Sequence, residues 1–304
     1  MTGQRRRAWA LVAPAAGLAG LLCVLAAAAD ETDRDQRVRI GMVGTLFRDT
    51  PQPLVVALMR PFGSMMESQT GMAGKLVPGG DALSMARQLD QGRLQLGIFH
   101  GVEFAWAQQR YPQLRPLIIA INQDRHLWAA LVVRSDRKEA GVADLKGQVV
   151  AFPRGSREHV HLFFDRLCQG AGGQPAELFA TVTKPANAEV ALDDVLDNDV
   201  RAAVVDGLAL DCFKRRKPGR FARLRVVVKS EVFPAAVLAY KPGALAEDKL
   251  DRFRQGLLRA HRTATGRQLM TLWKLTAFEP VPDDYQATLD QIIKAYPAPV
   301  SAAR

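Results

Sequence analysis

The chain has 304 residues, with 41 Lys and Arg against 31 Asp and Glu, a formal net charge of +10 at pH 7. That length suits one large domain or two medium ones, and the cationic surplus favours anionic small molecules or surfaces. Beyond residue 29 the only cysteines are Cys168 and Cys212. They are too few for a structural zinc site, and whether they pair is left open by the sequence.

Taken in chain order, the first signal is Arg5, Arg6 and Arg7 ahead of an uncharged apolar run over 8–29 that ends in Ala27-Ala28-Ala29. A basic start, an apolar stretch and small residues at a cut site read as a signal peptide over 1–29. An uncleaved anchor is the alternative. Its removal takes away three Arg and no acid, leaving +7 of the +10.

Residues 38–43 read as a first strand, followed by Leu54, Leu58, Phe62 and Met65 or Met66 at helical spacing. Residues 75–77 form a second strand, and Asp81 is placed to cap a helix running to Leu89. A third strand covers 94–99, with a helix after His100 and Gly101. A long strand at 127–133 restarts the pattern. Strands follow at 148–152, 179–182, 202–205 and 224–228, with helices from Ser156 to about Cys168 and over 186–196. The cluster Lys214-Arg215-Arg216-Lys217 lies at a helix end, where cations oppose the negative pole of the dipole. The remaining basic residues are scattered, so no nucleic acid is expected. Residues 232–240 read as another long strand, before a helix carrying Leu250, Phe253, Leu257 and Leu258 on one face.

Strand–helix alternation predicts an α/β fold with parallel pairing. The two long strands bracketing the second block predict two crossings between lobes. One lobe takes residues 36–127 and 233–304, the other 128–232, and a two-strand hinge joins them.

In open parallel sheets ligands bind beyond the carboxyl ends of the strands. The first lobe then offers Thr45, Phe47 and Arg48 after strand one, and His100, Gly101 and Glu103 after strand three. The second offers Arg154, Ser156, Arg157, His159 and Asp206. Ser156 is the sharpest expectation, because a helix N-terminus presents free N–H groups and about half a positive charge to an anion. Gly155 would let the backbone approach, and Arg154 or Arg157 could clamp an oxyanion bidentately. Structural roles stay open beside these: Ser156 as an N-cap, Phe47 and the crossing residue Trp128 in packing, Glu103 stabilised by its helix dipole. Asp206 could cap the next helix, and Arg48 could form a surface pair with Asp49.

Catalysis is not expected. His159 and His161 are two apart on a predicted helix and point to different faces, so they share no metal. No G-x-S-x-G, P-loop or dinucleotide fingerprint is present. Neither a cofactor nor a metal is called for.

An ordered series of motifs runs from about Arg37 to Pro297: Val38-Arg39-Ile40-Gly41, GRLQLGIF at 92–99, DLKGQVVAF at 144–152, Val205-Asp206-Gly207, Phe233-Pro234 and TAFEPVPDDY at 276–285. The series resembles the phosphate/phosphite/phosphonate-type ABC transporter substrate-binding proteins. That resemblance implies a type II periplasmic binding fold, each lobe a mainly parallel sheet flanked by helices. It further implies a periplasmic location, a small phosphonate- or phosphate-like ligand, an ABC permease at the inner membrane as partner, and a monomer. Two departures stand out. The family's Ser-Thr-Ser-Gly run is here Arg154-Gly155-Ser156-Arg157, so only Ser156 carries over, and Gln95 replaces the aspartate of the first-lobe strand. The rival role is a ligand-sensing or scaffold domain partnering a membrane signalling protein.

Overall fold

Short apolar runs alternating with amphipathic stretches give two main sheets and a small ribbon between them. The computed structural model describes residues 38–48, 50, 53–55, 62–64, 66–68 and 71–299, and the expected leader over 1–29 lies outside them. The chain begins with β1 (Val38–Val43), β2 (Gly74–Gly80), α1 (Ala82–Asp90), β3 (Leu96–Phe99), α2 (Gly101–Arg110) and β4 (Arg115–Ile121). It crosses at β5 (His126–Leu127) into β6 (Ala129–Arg134), β7 (Val149–Ala151), α3 (Glu158–Gly170) and α4 (Pro175–Leu178). Then come β8 (Thr181–Thr183), α5 (Ala188–Asp197), β9 (Ala202–Asp206), α6 (Gly207–Arg216), α7 (Pro218–Phe221) and β10 (Leu224–Lys229). A second crossing, β11 (Phe233–Pro234), returns it to β12 (Ala236–Tyr240), α8 (Glu247–Leu258), α9 (Ala264–Leu272), β13 (Ala277–Glu279) and α10 (Tyr285–Ala295).

The first sheet has the order β13-β4-β12-β3-β1-β2 and the second β10-β6-β9-β7-β8. Parallel pairing occurs where helices make the connections: β1 with β2 and β3, and β7 with β8 and β9. The expectation of mainly parallel sheets needs refining here. Strands β12, β4 and β13 join antiparallel in the first sheet, as do β6, β9 and β10 in the second. The reason is the crossings, since a strand that enters or leaves a sheet through the ribbon runs against its neighbours.

Both faces of each sheet are covered, which explains strands that are apolar throughout rather than alternating. In the first sheet, α1, α2 and α10 bury Met85, Leu89, Phe104 and Leu289 on one side. Phe62, Met66 and helices α8 and α9 bury Ile40, Leu96 and Leu250 on the other. In the second, α3 packs Phe163 and Phe164 on Val150, while α5 and α6 pack Leu192 and Phe213 against Val205. Each fully buried Leu, Ile or Phe contributes roughly 1.5–3 kcal/mol by leaving water. Leu54, expected on a buried helical face, is instead exposed. Gln95 accepts from the Arg39 N–H and donates to the Gly92 carbonyl, which gives it a structural role at the start of β3.

The two long strands of the sequence each prove to be two short ones. Between β5 and β6, the Trp128 carbonyl accepts from the Gly207 N–H at 2.7 Å, so the chain changes ladder partners there. Trp128 itself packs on Gly207 and lies under the Lys229 ammonium, 4.2 Å from the ring centre. Between β11 and β12, the Ala235 carbonyl accepts from the buried Tyr285 hydroxyl at 2.8 Å. The crossings lie side by side as an antiparallel ribbon, with Phe233 opposite Leu127 and Pro234 opposite His126. A polar tie braces them: Glu231 accepts from Arg166 of α3 at 2.7 Å and from the Tyr296 hydroxyl at 3.0 Å.

Gly101, expected as a ligand contact, has a packing role in the structure. It opens α2 directly against the second crossing, and a Cβ there would stand 2.4 Å from the Pro234 carbonyl oxygen and 2.6 Å from that of Ala235. Those atoms are backbone and cannot swing away. Gly101→Ala is expected to lower stability by about 1–3 kcal/mol in urea denaturation, whereas Gly219→Ala, with open space around it, stays near wild type.

Candidate functional site

The loops after β1 and β3 meet the loops after β7 and β9. Residues 44–47 form a single 3-10 turn after β1. Its Thr45 hydroxyl lies 2.8 and 2.9 Å from the two carboxylate oxygens of Glu103, in the first turn of α2. Glu103 is almost fully buried, and burial pushes its carboxyl up to about 7 against the lowering effect of the Thr45 bond. His100, in the N-cap position of α2, has an Nε2 that is shielded from solvent and lacks a hydrogen-bond partner. Burial lowers the His100 imidazole to about 4, and the nearby charges of His159, Arg157 and Arg48 push in the same direction.

The second-sheet half differs from expectation in one respect. Helix α3 begins at Glu158, with Arg157 in the N-cap position, so Ser156 does not open it. The Ser156 hydroxyl donates to the Pro153 carbonyl at 2.7 Å, closing a turn in which Gly155 has a φ of +64°. That bond turns the hydroxyl back on its own loop instead of toward the helix N–H groups. Arg154 is exposed, and its N–H donates to the Pro185 carbonyl.

Asp206 ends β9 and caps α6, its Oδ1 accepting from the Leu208 N–H at 2.8 Å. Its Oδ2 lies 3.3 Å from Nε2 of the buried His159 and 3.7 Å from Nε of Arg157. Burial alone would raise this carboxyl, but His159, Arg157 and the Leu208 N–H outweigh it and hold it below the usual range. Capping and contact with the cluster thus coexist in one residue. Phe47 packs edge-on against Trp273, with ring centres 5.5 Å apart, which is the packing alternative.

The partner found for Arg48 carries no signal in the sequence. Its guanidinium grips Glu158 in a fork, Nε to Oε2 and Nη2 to Oε1 both at 2.8 Å. The two residues stand 110 positions apart and belong to opposite sheets. The Glu158 side chain is 6% exposed and that of Arg48 40%. Burial raises the Glu158 carboxyl, and the Arg48 charge opposes that rise.

Beside this cluster lies an open groove of about 800 Å³. Gln123 and Lys274 line it from the first-sheet side, and Arg154, Ser156, Arg157, Asn187, Asp206 and Arg216 from the second. Arg157 and Asp206 belong to both the groove and the cluster. Gln123, Lys274, Asn187 and Arg216 were missed as groove residues. Asn187 caps α5 and so carried an N-cap signal, whereas Gln123 and Lys274 carried none.

Among the described residues no group of three or more His, Cys, Asp or Glu is arranged to hold a metal ion. Cys168 and Cys212 are both free thiols. Burial pushes the Cys168 thiol up to about 12. No described helix is long and apolar enough to cross a membrane.

Residues 46–285 match the family model described as "ABC transporter, phosphonate, periplasmic substrate-binding protein". No sequence match is found among curated proteins. The fold is similar to a binding component of an ABC phosphonate transporter from Pseudomonas aeruginosa, at a TM-score of 0.52 and 15% identity, covering 88% of this chain and 90% of that one. It is similar to PhnD1 from Prochlorococcus marinus in complex with methylphosphonate, at 0.55 and 12%, covering 86% and 98%. A Xanthomonas citri protein bound to ATP shares it at 0.56 and 16%, covering 86% and 100%.

The raised Glu103 carboxyl has a measurable consequence. Between pH 4.5 and 7 the folded protein holds a proton that the unfolded chain has released, so wild-type stability falls as pH rises through that window. His100 works the other way from about pH 4 to 6.5, so only the comparison with a variant isolates Glu103. Glu103→Gln is expected to gain up to about 3 kcal/mol relative to wild type between pH 4.5 and 8, read by urea denaturation at both values.

Proposed function

As this chain belongs to the family of periplasmic substrate-binding proteins of phosphonate-type ABC transporters, we propose that it captures a small anionic, phosphonate- or phosphate-like ligand between two lobes and delivers it to an ABC permease. In this reading it is an exported monomer, with lobes at 36–127 plus 233–304 and at 128–232. The role is binding and release rather than turnover.

One observation carries the proposal. Side chains from four loops, each at the carboxyl end of a strand and drawn from both sheets, come together with Arg48, Arg157, His100 and His159 among them. Two guanidinium groups, Arg48 from one half and Arg157 from the other, give an anion something to hold in the closed state that neither half offers alone. A ligand shifts such an equilibrium only through differential affinity for the closed form. Thr45, Phe47, Glu103, Arg154 and Ser156 shape the walls, Gly101 docks the α2 end, and Asp206 orients His159 and Arg157. Glu103, its carboxyl raised by burial, supplies a proton donor or acceptor rather than a fixed charge near neutral pH.

Calorimetry against phosphate, phosphite, methylphosphonate and small carboxylates tests this directly. At least one of them should bind, and Arg157→Ala should weaken it ten-fold or more, the loss of about one charge-assisted contact. Unchanged affinity in Arg157→Ala and Arg48→Ala together would remove the proposed site.

A further inference from the structure

The Arg48 guanidinium holds both oxygens of the Glu158 carboxylate, with Nε to Oε2 and Nη2 to Oε1 at 2.8 Å and Nη2 also 2.6 Å from Oε2. This is the charge-assisted contact by which an arginine also takes a free carboxylate or phosphonate. Here the anion comes from the protein. Glu158 is the first residue of α3, and its Arg157 neighbour stands in the N-cap position without a side-chain capping bond. The carboxylate therefore sits where free N–H groups and the helix dipole also favour a negative group. Around it are the charges of Arg48, His159 and Asp165.

We propose that Glu158 is a built-in competitor for the ligand, an internal carboxylate that holds Arg48 across the cleft until an incoming oxyanion replaces it. The inference rests on the oxyanion-capture reading and adds a selection rule to it. Capture becomes an exchange of one anion for another on the same guanidinium. Binding energy is the difference between the ligand–Arg48 contact and the Glu158–Arg48 contact it ends, plus the cost of leaving Glu158 without its cation. A carboxylate ligand gains little over the carboxylate already there. A tetrahedral oxyanion with more acceptor oxygens can keep the fork and still reach Arg157. Glu158 thus acts as a specificity-determining residue that raises the threshold for monocarboxylates.

Other features lend no comparable support. The Lys217 and Arg220 pairs with Glu189, Asp193 and Asp197 are a surface ladder between helices, closed on itself. Of the two free thiols, Cys168 is buried and pushed up to about 12, and Cys212 accepts from its own-helix neighbour Arg215 at 3.1 Å.

The test compares wild type with Glu158→Gln, an isosteric change that keeps a side chain able to accept a hydrogen bond, using methylphosphonate and acetate as probes in calorimetry at pH 7.5. The half-exposed Arg48 remains solvated in the variant, and a thermal melt checks that it folds. Glu158→Gln is expected to bind methylphosphonate at least ten-fold tighter than wild type, and to bind acetate where wild type does not. Equal or weaker methylphosphonate binding by Glu158→Gln, with wild type binding normally, overturns the exchange and leaves oxyanion capture standing. Binding of neither probe by either protein overturns both. Arg48→Gln in the Glu158→Gln background provides the second check, since it should abolish the gain. A gain that survives the loss of Arg48 also overturns the exchange.

Discussion

Everything at the candidate site hangs on the second crossing, the segment around Phe233, Pro234 and Ala235. From the first-sheet side, Gly101 lies so close to the Pro234 and Ala235 carbonyls that only a residue without a Cβ fits. This sets the start of α2, and with it His100 and Glu103. From the second-sheet side, the buried His159 ring packs on Phe233, with centres 5.5 Å apart, and sets the start of α3. Phe233 in turn packs on Tyr296 beyond α10, with centres 4.6 Å apart. One short backbone segment is therefore the common floor for helix starts from both sheets. A shift of the crossing by an ångström would move both halves of the cluster together.

This arrangement explains why the fold could be read from the sequence more fully than the site. The first strand, the Asp81 cap, the helix after His100 and the apolar face of α8 each declare themselves over a few residues. Local chemistry decides them: alternating or continuous apolar runs, a carboxylate three residues before the N–H it accepts, glycine at a tight start. The points that slipped are where tertiary contacts overrule such signals. The strand at 127–133 reads as one unit by composition, but the Gly207 N–H takes the Trp128 carbonyl and divides it. Ser156 is a good N-cap residue by type, yet its hydroxyl bonds the Pro153 carbonyl two residues before the helix starts.

The site is legible as a set of loops and not as a set of contacts. Position at the carboxyl end of a strand brings Thr45, Arg48, His100, Glu103, Arg157, His159 and Asp206 toward each other, and that follows from topology alone. Which atom meets which does not follow. Arg48 stands next to Asp49, the obvious partner in sequence, while its bidentate bonds go to Glu158, 110 positions away. Glu158 carried only the ordinary signature of an acid in a first helical turn. Long-range ion pairs leave no periodicity, so no single-sequence pattern can reveal them.

The charge distribution bears on how such a cleft can work. The Arg48 and Arg157 guanidinium groups are interleaved with Glu103, Glu158 and Asp206, so the cluster is internally compensated rather than a bare cationic pocket. A bare pocket would hold its cations apart by repulsion and would attract any anion over its long-range field. A compensated one discriminates by geometry, because a ligand must offer more than the acid it displaces. Glu103 and Asp206 also differ in character. Glu103 is held by a hydroxyl and has its carboxyl pushed up to about 7, whereas Asp206 is held by His159, Arg157 and a backbone N–H and stays ionised. One group can therefore donate or accept a proton near neutral pH, while the other holds its cationic neighbours in place. In the proposed capture role, that division lets the mouth of the site adjust its protonation to the ligand without disturbing the contacts that aim Arg157 and His159.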